Sequence, residues 1–125
     1  MIEAELGDGR DLGLKLSYLQ EETPMGTGGW TQLVDWNVLS ETVLVLNADN
    51  IFWLDIDAFL AQHQQSAALA TIAAVSIPTA GVSGAELLVH DNDKRELVDY
   101  IDRQLSGPLL AAKDSVYISS GWYAM

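Results

Sequence analysis

The sequence predicts an α/β protein with a mixed sheet, and three observations support this class. Residues 12–19 alternate between apolar and polar side chains, which is typical of a half-buried strand. Residues 42–46 form a continuous run of leucine and β-branched residues, as in a central strand that is covered on both faces. Helical spacings lie between such runs, and a hairpin pattern follows them at residues 84–102, so strands and helices alternate along the chain.

The elements can be assigned in order from local signals. Residues 21–29 contain one proline and three glycines, which predicts a loop, and Thr27 is placed to cap a helix of about ten residues. The arm at 95–102 suits a strand, but its leucine and isoleucine spacing also suits a helix. The remaining predicted elements are a helix capped by Asp57 and reaching about Ser66, a buried strand at 69–77, a hairpin with arms at 84–90 and 95–102, and a last strand at 116–123.

Composition and charge exclude several classes of function. The chain has 125 residues, 18 Asp and Glu against 6 Lys and Arg, and a formal net charge of -12. This charge opposes electrostatic binding to DNA, RNA or anionic lipid. There is no cysteine, so disulfides, thiolate metal sites and a cysteine nucleophile are excluded. No apolar run approaches the ~20 residues of a membrane span. We therefore expect a cytoplasmic protein of one domain over residues 1–125.

Asp49 is the first candidate for chemistry. The apolar run at 42–46 ends in Asn-Ala-Asp-Asn, so a carboxylate lies at the carboxyl end of a buried strand, where α/β sheets bind ligands. A hard cation such as Mg²⁺ takes oxygen ligands of this kind, together with substrate phosphates. The alternative is an ordinary turn, in which Asp and Asn are common. Likewise, the glycine loop at 26–29 is either an approach for a ligand or a plain connection.

Four segments together resemble the sugar-1-phosphate nucleotidyltransferases, also called nucleotide-sugar pyrophosphorylases. Residues 12–29 resemble that family's "lGlxIsYxxEexPLGTaGal" segment, and 43–49 resemble its "fLVlNGD". Residues 55–73 resemble "DlDldalLxxHxxxxAxaTIa", and 117–123 resemble "yiNaGiYv". The segments come in the family's order and cover nearly the whole chain. The guanylyltransferase members that act on mannose or heptose 1-phosphate are the type we expect.

The resemblance implies a fold, a reaction and a cofactor. The fold is GT-A-like and Rossmann-related. The reaction joins a sugar 1-phosphate to the α-phosphate of a nucleoside triphosphate and releases pyrophosphate, with Mg²⁺ neutralising the phosphate oxygens. Asp49 takes the Mg²⁺-binding catalytic position. Gly26 and Thr27 lie at the nucleotide, and Glu21 lies where the family reads the base edge.

Glu21 favours guanine, because its carboxylate can accept from both the N1–H and the N2–H₂ donors of that base. A shift of one residue would place Gln20 there and favour thymidine or uridine. Glu21 as a solvated turn residue is the other alternative.

The resemblance also implies a sugar pocket, lined by Gly84, Glu86, Arg103, Ser119 and Gly121. Arg103 stands where the family has the lysine of an "EKP" motif, and Ser119 stands where it has asparagine. Both departures affect the sugar-binding positions.

The family's glycine-rich "GGxGTRLxPLT" element and its second metal-binding aspartate are not found in these 125 residues. We therefore expect an incomplete fold, either the central portion of a nucleotidyltransferase domain or a degenerate member, inactive by itself. A second chain supplying the glycine-rich element is one possible partner. The alternative function is a non-catalytic module that binds a nucleotide, a sugar or a protein while retaining the fold.

Overall fold

The structure is a computed structural model, and we describe residues 2–51, 53–80, 82 and 84–125. The chain divides into two compact units, Met1–Leu39 and Ser40–Met125. Among the described residues, no helix has both the length and the apolar character that crossing a bilayer requires.

The first unit contains short helical segments and no strand within its described residues. Helix α1 spans Ile2–Leu6, and single 3-10 turns follow at Arg10–Leu12, Gly29–Gln32 and Trp36–Val38. The strand predicted at 12–19 is therefore wrong. Its beginning folds back instead, with the N–H of Leu16 donating to the carbonyl of Asp8 at 2.9 Å. Alternation alone does not make a strand, because a strand needs a neighbour to pair with.

The ten-residue helix predicted after Thr27 is also wrong. The 3-10 turn at Gly29–Gln32 has Gly28 at its N-cap, without a side-chain cap. A second 3-10 turn begins a few residues later, where the Asp35 side chain accepts a hydrogen bond from the N–H of Asn37 at 3.1 Å. Two adjacent glycines at the first start disfavour continuous helix, so only single turns form.

The second unit is built on a five-stranded sheet whose centre is β5. The strands are β1 (Leu44–Leu46), β2 (Thr71–Pro78), β3 (Leu87–Asp91), β4 (Glu96–Ile101) and β5 (Ser115–Ala124). Strand β5 pairs with β1, β2 and β3, β3 pairs with β4, and each pairing is antiparallel. The predicted α/β class is confirmed, as are the hairpin and the last strand. The ambiguous arm at 95–102 is a strand.

The apolar run at 42–46 does form a strand, but burial on both faces is wrong for it. Strand β1 is half-buried, and Leu46 remains 47% exposed. Within the described chain its strand partner is β5, with Val45 opposite Tyr123. Strand β2 likewise exposes much of its length, although Ala73 is buried. The longest strand, β5, takes the central position instead, because it alone reaches three neighbours.

Two small apolar clusters hold helices against this sheet. Helix α2 (Ile56–Gln65) buries Phe59 against Ala73 and Ala124, and helix α3 (Gly107–Ala112), which sequence did not predict, buries Leu110 against Leu87 and Val116. The predicted cap of α2 is corrected by two positions. Asp55, not Asp57, is the N-cap, because its Oδ1 accepts from the N–H of Ala58 at 2.9 Å.

Candidate functional site

A tight turn after β1 carries Asp49, and both of its corners are bound to β5. The N–H of Asn47 donates to the carbonyl of Gly121 at 2.9 Å. At the other corner, Nδ2 of Asn50 donates to the carbonyl of Ser120 at 2.8 Å. The turn itself closes with Asn50 N–H on the Asn47 carbonyl at 3.4 Å. Asp49 is exposed, and the residues on either side of it, Asn47 and Asn50, bind two successive carbonyls of the central strand.

Gly121 is required for this arrangement. Its φ is +79°, a left-handed conformation that glycine adopts without strain. A Cβ at this position would lie 2.5 Å from Nδ2 of Asn47 and 2.7 Å from Nδ2 of Asn50. A larger residue would therefore displace the asparagines that fix the turn. The sequence placed Gly121 at the sugar site, and the structure brings it against the Asp49 turn.

The donor chemistry of the Asp49 turn fits a hard cation that is shared with a ligand. Among the described residues, no three His, Cys, Asp or Glu side chains converge on one point. An all-protein cage of such side chains is therefore absent there, whereas Mg²⁺ commonly uses one or two carboxylates plus substrate phosphates and water. A single exposed carboxylate on a rigid turn matches that pattern. The Asn47 and Asn50 side-chain oxygens belong to the same turn.

Ser119 lies next to this turn and is itself held in place. Its Oγ accepts from the N–H of Gly121 at 3.1 Å and shares a hydrogen bond with the hydroxyl of Tyr123 at 2.9 Å. Ser119 and Gly121, two of the predicted sugar residues, are therefore brought together with the Asp49 turn. Tyr123 was not a predicted site residue. The sequence signal for it is the segment at 117–123 that resembles "yiNaGiYv", in which Tyr123 is the tyrosine. Its contact with Ser119 was not foreseen, because it depends on the shift in register between β2 and β5 opposite residues 119–123.

Glu86 forms a second polar pair on the β3–β4 hairpin. Its carboxylate accepts a hydrogen bond from the hydroxyl of Tyr100, which raises the pKa of Tyr100 to about 12; desolvation and the negative charges of Glu86 and Asp102, together with Tyr123, act in the same direction. Tyr100 is nevertheless 50% exposed. Sequence reasoning missed Tyr100 as well. Tyr100 places a neutral hydroxyl beside Glu86, a predicted sugar residue.

Gly84 and Arg103 meet at the base of the same hairpin. A Cβ on Gly84 would lie 3.2 Å from Cγ of Arg103, and its φ of +123° also favours glycine. Both residues line an open groove of about 700 Å³. The ion pair found among the described residues joins Arg10 to Asp8, so no carboxylate there neutralises the Arg103 guanidinium. Arg103 thus lines a groove in an acidic chain, and its guanidinium has no salt bridge within the part of the chain that the structure describes.

The predicted nucleotide residues lie in the first unit. Oε2 of Glu21 accepts from the N–H of Met25 at 2.9 Å, so this carboxylate closes its own loop. Gly26 has a φ of +81°, and its carbonyl accepts from the N–H of Gly29 at 3.2 Å. Thr27 is exposed in that turn. Glu21 is half-buried, and its Oε1 has no hydrogen bond among those found in the described residues.

Comparison with known proteins assigns the family. The model of the family described as "Nucleotidyl transferase" matches residues 1–85, so the chain belongs to this family. The match includes the turn with Asp49 and reaches Gly84, whereas the other predicted sugar residues lie beyond it: Glu86, Arg103, Ser119 and Gly121. The resemblance stated from the sequence is confirmed.

The individual relatives are named as transferases that act on sugar 1-phosphates. The chain is 36% identical over 77 residues to mannose-1-phosphate guanylyltransferase of Mycobacterium tuberculosis, covering 62% of this chain and 21% of the relative. It is 32% identical over 63 residues to D-glycero-alpha-D-manno-heptose 1-phosphate guanylyltransferase of Aneurinibacillus thermoaerophilus, covering 50% and 27%. Glucose-1-phosphate adenylyltransferase of Rhizobium radiobacter is 28% identical over 80 residues, covering 64% and 19%. The chain thus spans about a quarter or less of these relatives.

Proposed function

We propose that this chain is the central portion of a GT-A-like nucleotidyltransferase domain that transfers a nucleotidyl group to a sugar 1-phosphate and releases pyrophosphate. The observation that carries the proposal is the turn holding Asp49, which is bound at both corners to the strand that carries Ser119 and Gly121. A carboxylate for a cation and two of the predicted sugar residues are then neighbours. Family membership supports the class of reaction.

Each predicted group has a task in this proposal. Asp49 binds Mg²⁺, which when bound supplies positive charge to the phosphate oxygens. Arg103 binds the phosphate of the sugar 1-phosphate, for which a guanidinium that lines an open groove and has no salt bridge among the described residues is suited. The carboxylate of Glu86 and the hydroxyl of Ser119 accept hydrogen bonds from sugar hydroxyls. Gly84 and Gly121 leave room where a side chain would collide with the protein itself.

For the nucleotide, we propose guanine, read by Glu21 beside Gly26 and Thr27. The second oxygen of Glu21 is available, and a carboxylate oxygen that already accepts from Met25 retains a further lone pair. Both guanine donors can then be met. The names of the relatives include guanylyltransferases and adenylyltransferases, so they support the transfer of a purine nucleotide and do not choose between the two.

Isothermal titration of the 125-residue chain tests the proposal. We expect GTP to bind in the presence of Mg²⁺, and we expect Asp49→Asn to remove the dependence on Mg²⁺. The matched control is Asp93→Asn, an exposed aspartate in the hairpin turn. Absence of nucleotide binding by the wild-type chain would contradict the proposal. Binding of nucleotide that is equal with and without Mg²⁺ would contradict the role of Asp49.

The choice of base has its own test. ATP, UTP and CTP compete with GTP on the wild-type chain and on Glu21→Gln. An amide replaces one acceptor oxygen by a donor, so we expect the guanine preference to fall by about 5- to 150-fold, which corresponds to roughly 1–3 kcal/mol for a bidentate base contact. Equal affinities for the four triphosphates, or an unchanged preference in Glu21→Gln, would refute reading by Glu21.

Turnover is proposed to need one further part. Phosphoryl transfer depends on positioning of the triphosphate, and the GGxGTR pattern is not found within these 125 residues. We propose a cytoplasmic setting and a requirement for the GGxGTR element in turnover. Adding a polypeptide with the GGxGTR element and measuring pyrophosphate release tests this. Equal release with and without the added polypeptide would refute it.

A further inference from the structure

One side chain joins the proposed cation site to the proposed sugar site. Asn50 follows Asp49 directly, and its Nδ2 donates to the carbonyl of Ser120 at 2.8 Å, across 70 residues of sequence. The adjacent contact, from the N–H of Asn47 to the carbonyl of Gly121, is made by the backbone and would persist with other side chains. Of these two contacts, the hydrogen bond from Asn50 is therefore the one that requires a particular side chain.

The acceptor side of this bond belongs to a connected polar chain. Ser120 is buried, and it lies between Ser119 and Gly121 where the pairing of β5 with β2 shifts register. The Oγ of Ser119 binds both the N–H of Gly121 and the hydroxyl of Tyr123. The N–H of Gly121 and the carbonyl of Ser120 belong to one peptide group, so this peptide is bound by Ser119 Oγ at one end and by Asn50 at the other. When a sugar hydroxyl engages Ser119 Oγ, this peptide must adjust. The displacement is then transmitted to the turn that holds Asp49.

We propose that Asn50 is a positioning residue that couples cation binding at Asp49 to sugar 1-phosphate binding at Ser119 and Gly121. The inference rests on the proposed function and adds a regulatory link within the same site. By thermodynamic reciprocity, each ligand then raises the affinity for the other by the same factor. Couplings of this kind are typically 5- to 150-fold, and we expect about tenfold across a single hydrogen-bonded link.

The test measures coupling and not activity. Binding of Mn²⁺ to the chain is followed by electron paramagnetic resonance of the free ion, with and without mannose 1-phosphate. A protein-free titration corrects for Mn²⁺ held by the sugar phosphate itself. The ratio of the two Mn²⁺ affinities is the coupling factor. Glucose 1-phosphate is titrated in parallel, so that the choice of sugar does not decide the result.

Two variants of Asn50 separate positioning from folding and from charge. Asn50→Ala removes the donor, and Asn50→Asp keeps the shape but replaces the donor by an acceptor that faces the Ser120 carbonyl. We expect both to bind Mn²⁺ without sugar, Asn50→Asp at least as tightly as wild type because of its added charge, while the coupling factor falls to about 1 in each. The control is Asn92→Ala, in the exposed hairpin turn, with wild-type coupling. Circular dichroism melts confirm that each variant is folded, and Asn50→Asp decides the question if Asn50→Ala does not fold.

The outcomes distinguish this inference from the proposed function. If wild type binds both ligands without coupling, or if the Asn50 variants retain the coupling, the inference is overturned while the proposed function stands. If wild type binds neither Mn²⁺ nor a sugar 1-phosphate, the proposed function fails, and the positioning role falls with it. Loss of coupling in both variants with retained Mn²⁺ binding supports the role.

Discussion

Replacement of Gly121 by alanine tests how the Asp49 turn is held. The φ of +79° at this position is a left-handed conformation, which costs a residue with a Cβ roughly 1–2 kcal/mol. The new Cβ would also lie 2.5 Å and 2.7 Å from the side-chain nitrogens of Asn47 and Asn50. These side chains are flexible at their ends, so they move away, and the hydrogen bond from Asn50 to the Ser120 carbonyl is lost.

The expected loss of stability follows from these two effects. A lost hydrogen bond of this kind costs about 0.5–1.5 kcal/mol, which together with the backbone strain gives roughly 1.5–3.5 kcal/mol. For a unit of this size, each kcal/mol lowers Tm by about 4–8 °C, so we expect a decrease of about 6–28 °C. The new Cβ also displaces Asn47 at the other corner, which shifts the Asp49 turn itself, so Mg²⁺-dependent nucleotide binding should weaken in the folded variant.

Urea unfolding followed by tryptophan fluorescence measures the effect, together with a thermal melt. Gly107→Ala is the matched control, because it lies at the start of α3 in the same unit, with no positive φ and open space around its Cβ. We expect that control to be neutral or slightly stabilising. A Gly121→Ala chain as stable as wild type would refute the strain and the contact together.

Three further predictions concern single side chains. Asp49→Asn should abolish Mg²⁺-dependent nucleotide binding with little change in Tm, because the carboxylate is exposed; a titration and a melt decide, and retained Mg²⁺ dependence contradicts it. Asp55→Ala should cost about 1 kcal/mol in urea unfolding through the lost cap of α2, and Asp57→Ala clearly less; equal losses would contradict the assigned cap. Tyr100 should ionise near pH 12 by absorbance at 295 nm, and Glu86→Gln should lower that pKa. Because the pKa of Tyr100 in the folded chain is raised above 10.0, the stability contributed by its pairing with Glu86 is complete below pH 10 and is lost between pH 10 and 12. A wild-type titration with all tyrosines near 10 would count against the pair.

Local signals in the sequence located most elements of the second unit. The turn at 91–94 between two apolar arms was sufficient to predict the hairpin of β3 and β4, since turn chemistry acts between neighbouring residues. The run at 42–46 was sufficient to place a strand and a polar turn after it, and thus Asp49 as a site candidate. The strand predicted at 12–19 is absent, because an alternating pattern describes one face of a strand and does not supply a second strand with which it can pair.

Motif order in the sequence was likewise enough to determine the family, because four short segments with defined spacing rarely occur together by chance. What the sequence did not contain is the geometry of the site. The bond from Asn50 to Ser120 joins residues 70 positions apart, and the pair of Glu86 with Tyr100 depends on the register of two strands. Such contacts are set by which strands become neighbours and how they are aligned, and neither follows from local propensity. Only the tertiary structure decided that β5 is the central strand and that the Asp49 turn is fixed to it.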